Sequence, residues 1–289
     1  MKAGIVGAGL MGAEIALVFA LAGHDVVLHD RSTEALLSAV DRLSAILDKG
    51  VSRQLYAAEA ARDALARIRP TAALADMGAC DLVTEAVFES IEAKSAVLAA
   101  LDTHCQPACI LASNTSTLPI STLASFVAPE RRVRFLGTHY FSPASRMALV
   151  EVIPGFATDS ATVEQVTAVL RDTGKQPVLI KDVAGFAVNR MLHALLIEAV
   201  KLVEEGVATP EDLDVACRLG LGHPIGPFAM MDIVSSDLCL QVQQILYDAY
   251  GERFRPPALL KQRVAAGLGG GKRWPGWIQH ERTEANGNE

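Results

Sequence analysis

His139 and Glu151 are the residues whose types and spacing most directly suggest chemistry. They close two short, strand-like apolar runs separated by Ser142-Pro143. A strand bearing histidine beside a strand bearing glutamate sets an imidazole against a carboxylate, the minimum for moving a proton. A histidine in an apolar strand is ordinarily a packed core residue. Glu151 argues otherwise, because a glutamate inside Ala148-Leu149-Val150-Glu151-Val152-Ile153 is costly to bury without a partner. An imidazole whose tautomer and orientation it fixes is the natural one. The other histidines are poorer candidates: His24, His29 and His104 fall in turns or strand edges, His193 in a helix, His223 in a loop and His280 in the tail.

Those two strands need a scaffold and a reaction partner, and the start of the chain supplies both. Gly7-Ala8-Gly9-Leu10-Met11-Gly12 is a G-x-G-x-x-G loop between the strand Gly4-Ile5-Val6 and an apolar-faced helix reaching Leu21. The first glycine permits the tight turn, the second lets a pyrophosphate reach the helix N-terminus, and the third lets helix pack on strand. A second strand, Asp25 to His29, ends in Asp30, about 20 residues on, where a carboxylate binds ribose hydroxyls. That carboxylate repels a 2′-phosphate, so NAD is expected over NADP, with Arg31 the one residue pulling the other way. A turn or cap before Ser32 is the plain alternative for Asp30. In a nicotinamide site that oxidises an alcohol, a base must take the hydroxyl proton as hydride leaves the carbon, and His139 fits that task.

Strand-like and helix-like segments alternate over the first 180 residues, predicting a mostly parallel α/β sheet. Strands are expected near 3–7, 25–29, 81–87, 109–113, 132–138, 148–153 and 177–180. The Ala-rich, charged stretch Ser32 to Arg67 reads as an antiparallel helical arm of two helices with Lys49-Gly50 at their turn. From 183 the alternation gives way to helical periodicity over 185–205, 210–219, 227–250 and 256–266. The expected domains are therefore 1–182, a Rossmann-type nucleotide-binding unit, and 183–289, a smaller all-α domain. The polar tail Glu281 to Glu289 is expected to fray.

The composition bounds the function. A chain of 289 residues, 51% hydrophobic, can bury a large core. A net charge of −7 with dispersed basic residues argues against nucleic acid. The five cysteines are scattered without a Cys-x-x-Cys pair, which predicts reduced thiols and no metal. No signal peptide precedes the first strand and the apolar run Ile15 to Ala22 is too short to span a bilayer, so a cytoplasmic enzyme without membrane contact is expected.

These residues, with further motifs in order, resemble the L-3-hydroxyacyl-CoA dehydrogenase family, whose short bacterial members act on 3-hydroxybutyryl-CoA and related thioesters. The carriers are Gly7 to Gly12, Ala112-Ser113-Asn114-Thr115-Ser116, Gly137-Thr138-His139-Tyr140-Phe141-Ser142-Pro143 and Leu149-Val150-Glu151-Val152. Beyond them come Gly185-Phe186-Ala187-Val188-Asn189-Arg190, Glu204-Glu205-Gly206-Val207 and Gly222-His223-Pro224-Ile225-Gly226-Pro227-Phe228. The resemblance implies a His139–Glu151 catalytic pair, Ser116 on the substrate's 3-oxygen near the nicotinamide, and Asn189 polarising the substrate. Donors already aimed at an oxygen that gains charge make physical sense there. It also implies cofactor contacts from Glu89, Lys94, Ser142 and Lys272, an acyl-CoA partner met by the helical arm, and a homodimer. On the arm Lys49 and Arg53 are within reach of coenzyme A phosphates, with the solvated charge of an exposed helix as the plain alternative for each. The apolar face Phe228 to Leu246, with Met230, Ile233, Leu238 and Leu240, is more than a small domain hides and points to the same homodimer.

Departures from the family pattern fall mainly on the substrate side. Ser142 stands where Asn is usual, Ala184 where Pro is, Ser235-Ser236-Asp237 where Gly-Leu-Asp is, and Lys272-Arg273-Trp274-Pro275-Gly276-Trp277 closes the chain differently. They bear on the acyl group more than on the chemistry. Three other functions stay open: a dehydrogenase of a free hydroxy acid of gulonate or carnitine type, a crystallin-like structural protein, and a dinucleotide-sensing binding protein.

Overall fold

Lys2–Val6 forms strand β1, and the helix after it, α1 (Leu10–Leu21), is buried from Gly12 to Ala20. A helix apolar on nearly every side belongs inside a fold. The computed structural model describes residues 1–271 and 275–278, so Lys272, His280 and the tail expected to fray lie outside the described residues. The chain divides into two units, Met1–Val183 and Ala184–Glu289.

The first unit is a Rossmann-type α/β sheet. Its further strands are β2 (Asp25–His29), β3 (Ile68–Thr71), β4 (Leu82–Glu85), β5 (Ile110–Ser113), β6 (Phe135–Tyr140), β7 (Leu149–Pro154) and β8 (Gln176–Leu179). They order as β3-β2-β1-β4-β5-β6-β7-β8. Every neighbouring pair is parallel except β6 and β7. The order reverses between β1 and β4, and in such sheets ligands bind outside the carboxyl ends of the strands at that point. The connections are α2 (Thr33–Ser52), α3 (Ala58–Arg67), α4 (Ile91–His104), α5 (Ile120–Leu123) and α6 (Ser160–Asp172).

The sequence reading differs from this architecture in three places. β3 is an additional strand that the apolar pattern hides, because Pro70 stands in Ile68-Arg69-Pro70-Thr71. Proline cannot donate to a ladder and is confined to edges, and β3 is the edge of this sheet. The turn of the helical arm is not at Lys49-Gly50. α2 runs on to Ser52, and Gly50 serves close packing instead, since a Cβ there would stand 2.3 Å from the Tyr56 ring. The chain reverses over 53–57, where Gln54 takes φ 59°. Finally, 132–138 starts as a helical turn, Pro129–Arg134, and the strand runs from Phe135 to Tyr140. His139 therefore lies inside a strand.

The second unit is all-α among the described residues: α7 (Val188–Glu204), α8 (Pro210–Gly220), α9 (Pro227–Val234), α10 (Ser236–Tyr250) and α11 (Ala258–Ala265). The single helix expected over 227–250 breaks at Ser235, which takes φ 83°. That left-handed conformation disfavours a side chain. Ser235 compensates by capping α10, its Oγ accepting from Leu238 N at 3.3 Å. Next to it, Ser236 is buried and its Oγ accepts from the Trp277 indole N–H at 2.9 Å. Phe228 and Leu246 are buried, while Ile233 and Leu238 remain exposed at 72% and 49%.

Candidate active site

β6 and β7 are antiparallel with His139 paired directly opposite Glu151. Opposed residues of such a pair project from the same face with Cβ atoms about 5 Å apart. The two side chains therefore meet within the sheet's own geometry: His139 Nδ1 lies 2.8 Å from Glu151 Oε2. Both are buried, at 4% and 1% exposure. An ionised carboxylate can only accept, so Nδ1 carries the ring proton and Nε2 is the basic nitrogen. Phe141 packs against the ring, centroids 4.6 Å apart. Ser116 Oγ lies 3.1 Å from Nε2 and donates to it in this tautomer.

Ser116 follows β5 on a loop that Glu89 organises. One Glu89 oxygen, Oε1, accepts from Thr115 Oγ1 at 2.5 Å, Ser116 N at 2.9 Å, and Thr117 N and Oγ1, each at 3.0 Å. The other oxygen, Oε2, faces Lys94 Nζ at 3.2 Å. Burial alone would raise the Glu89 carboxyl, but the Lys94 ammonium and the loop donors outweigh it and hold the group below the ordinary carboxylate range. Asn114 ties this loop to β6, its Oδ1 accepting from Tyr140 N at 2.9 Å.

The glycine loop closes tightly at the carboxyl end of β1. Gly7 has φ 105°, and a Cβ on Gly12 would stand 1.8 Å from the Gly7 carbonyl oxygen. A Cβ on Gly9 would meet nothing within 4 Å. The outer side of the loop is thus open, and the first turn of α1, Leu10 to Gly12, points its backbone N–H groups there. This is a cradle for a pyrophosphate. Asp30 Oδ2 accepts from Ala8 N at 2.9 Å and Oδ1 from Ser32 N at 2.9 Å. The cap of α2 is Ser32 itself, which accepts from Ala35 N. Asp30 therefore braces the loop and keeps further lone pairs for ribose hydroxyls, and these residues fit NAD.

The matching family model, "3-hydroxyacyl-CoA dehydrogenase, NAD binding domain", spans residues 2–183, and its partner model, the C-terminal domain, spans 185–280. The chain belongs to the 3-hydroxyacyl-CoA dehydrogenase family. It is an NAD-dependent oxidoreductase of that family. A probable 3-hydroxybutyryl-CoA dehydrogenase of Deinococcus radiodurans is 39% identical over 97% of this chain and 100% of its own. A 3-hydroxyadipyl-CoA dehydrogenase of Escherichia coli is 39% identical over 91% of this chain and 55% of its own. The crystal structure of (S)-3-hydroxybutyryl-CoA dehydrogenase from Ralstonia eutropha superposes with a TM-score of 0.90 at 37% identity, covering 93% of this chain and 95% of that one.

In this hydroxyacyl-CoA dehydrogenase the first unit alone brings together Gly7, Gly9, Leu10, Met11, Gly12, Asp30, Glu89, Ser116, His139 and Ser142 at or after the carboxyl ends of β1, β2, β4, β5 and β6. Glu151 joins them because antiparallel β7 begins where β6 ends. Lys94 stands apart by its burial, 1% exposed behind Glu89. Ser142 is exposed and precedes Pro143 through a cis peptide bond. Asn189 lies in the first turn of α7, half-buried, in the other unit. Lys49 and Arg53 of the arm line a groove of about 220 Å³ with Tyr56, Pro143 and Arg146. Of the histidines set aside, His193 is buried in α7 and burial pushes its pKa down to about 4, so it stays neutral at physiological pH.

Proposed function

We propose that the chain oxidises an L-3-hydroxyacyl-CoA to the 3-oxoacyl-CoA, with His139 as base and Glu151 as its orienting partner. The observation that carries this reading is the cross-strand pair, 2.8 Å between His139 Nδ1 and Glu151 Oε2, which leaves Nε2 free of the ring proton and directed toward Ser116. Nε2 takes the proton of the 3-hydroxyl. Ser116 Oγ, within hydrogen-bond distance of Nε2, holds the same oxygen, and Asn189 takes the polarising role that the resemblance implies for it. Bound NAD supplies the hydride acceptor. Gly7 to Gly12 cradle its pyrophosphate, Asp30 its adenosine ribose, and Glu89, with buried Lys94 behind it, Ser142 and Lys272 serve the nicotinamide side. In the reverse direction the protonated ring returns its proton to the 3-oxygen, so one pair of groups serves both directions.

Coenzyme A is assigned to the arm, where Lys49, Arg53 and Arg146 converge on one groove and offer positive charge to its phosphates. The acyl group is expected to be short, as in the 3-hydroxybutyryl-CoA dehydrogenases that resemble the chain over nearly their whole length. The test is a panel of short, long and ring-bearing L-3-hydroxyacyl-CoA esters and their free acids, with NADH formation as readout. Saturation by a short CoA ester and little turnover of its free acid are expected. Equal efficiency with the free acid would move the function to a hydroxy-acid dehydrogenase.

Exposed Ile233 and Leu238, on consecutive helices of the second unit, support a homodimer through that domain. A monomer by light scattering would remove it. All five cysteines are free thiols, which supports a cytoplasmic location. No described helix is long and apolar enough to cross a membrane.

A further inference from the structure

Behind the Ser116 loop lies a charge cluster whose innermost member, Glu85, has no part in the mechanism above. Glu85 closes β4 with 0% exposure, and Lys94 sits on the first turn of α4 with 1%. Three acceptors surround the Lys94 ammonium: Glu85 Oε1 at 2.8 Å, Glu89 Oε2 at 3.2 Å and the Val87 carbonyl at 3.4 Å. That matches its three hydrogens. Glu85 is equally engaged, Oε1 also accepting from Val87 N at 2.7 Å and Oε2 from Ser113 Oγ at 2.6 Å. Glu85 and Ser113 are register partners at the ends of β4 and β5, so this last bond ties the two strands that launch the Glu89 and Ser116 loops.

Burying one carboxylate fully and a second in part around a buried ammonium is expensive, and apolar side chains of similar volume would often hold strands together at lower cost. What the cluster supplies that apolar packing cannot is direction. Lys94 pulls Glu89 Oε2 inward, which aims Oε1 at the four donors of residues 115–117, and those fix Ser116 at 3.1 Å from His139 Nε2. We propose that Glu85 is a positioning residue for the dehydrogenation, acting through Lys94 and Glu89 to hold Ser116 against His139. This rests on the roles given above to Ser116 and His139. With a neutral side chain at 85, Lys94 has one carboxylate instead of two and draws on Glu89, whose hold on the loop changes.

The test is a double-mutant cycle on the full chain with Glu85→Gln, Ser116→Ala and both together. Glu85→Gln is expected to lower kcat about tenfold with KM for the CoA ester within about twofold, the signature of an interaction acting on the chemical step. In the Ser116→Ala background the same change should cost less than about twofold, because the residue it acts through is gone. A folded Glu85→Gln protein with wild-type kcat, or losses that multiply in the double variant, would overturn the proposal. If Glu85→Gln does not fold, Ser113→Ala removes only the 2.6 Å bond to Glu85. It should then show a several-fold loss that vanishes in the Ser116→Ala background, and an unchanged kcat would be equally damaging. A wild-type protein inactive on every 3-hydroxyacyl-CoA would instead sink the functional reading itself.

Discussion

Replacing His139 with glutamine is expected to lower kcat by about 10²- to 10⁴-fold, the range in which positioned acid–base groups act. Glutamine occupies similar space and its amide can still donate to Glu151, so β6 and β7 keep their pairing. What it lacks is a nitrogen that accepts a proton at neutral pH. The loss should fall on kcat in both directions of the reaction, because the same nitrogen removes the proton in oxidation and returns it in reduction. Binding of NADH, followed by fluorescence, should stay close to wild type, since the pyrophosphate cradle lies on β1 and α1. A variant that turned over at the wild-type rate would take the base away from His139.

The next largest effect is expected for Glu151→Gln, a loss of kcat of about 10²-fold or more. Glu151 lies inside a strand at 1% exposure, opposite His139, so the substitution changes charge with little change of shape. Two consequences follow. A neutral amide no longer stabilises the imidazolium that forms as the proton arrives. The amide can also present its NH₂ to Nδ1, which favours the tautomer protonated on Nε2, and that tautomer cannot accept the substrate proton. NADH binding and thermal stability serve as controls, because an unpaired buried group at this place could also loosen the sheet. A properly folded Glu151→Gln protein with full kcat would leave His139 without need of its partner.

The candidate site was legible because the residues proposed for it are costly anywhere else. Glu151 in an apolar strand and three glycines between strand and helix each violate a local preference that only a partner or a ligand repays. The same signal is present at Glu85, a glutamate closing Leu82-Val83-Thr84-Glu85, and the sequence pattern alone does not separate a residue facing substrate from one standing behind it. Lys94 shows the converse. In sequence it reads equally as a solvated charge, and only the convergence of β4, α4 and the Glu89 loop buries it.

The fold was legible in its class and in most of its elements, and the differences have local causes. β3 escapes notice because Pro70 breaks the apolar pattern, which an edge strand tolerates. Gly50 reads as a turn but makes room for Tyr56, a contact between residues whose proximity depends on the arm being folded. Ser235 reads as mid-helix because periodicity survives a one-residue break; a glycine at φ 83° would have announced it. Asn189 is a further limit of a different kind: in the first turn of α7 it is a half-buried amide, and only the family resemblance gives it a role.

The most direct test of the account measures two quantities on the same preparations of wild type and His139→Gln: binding of NADH, and NADH formation from NAD and L-3-hydroxybutyryl-CoA. The prediction is that both proteins bind NADH alike and that only wild type turns the ester over at an enzymatic rate. Wild-type protein that bound NADH without turning over this or any related ester, or a His139→Gln variant as fast as wild type, would contradict it.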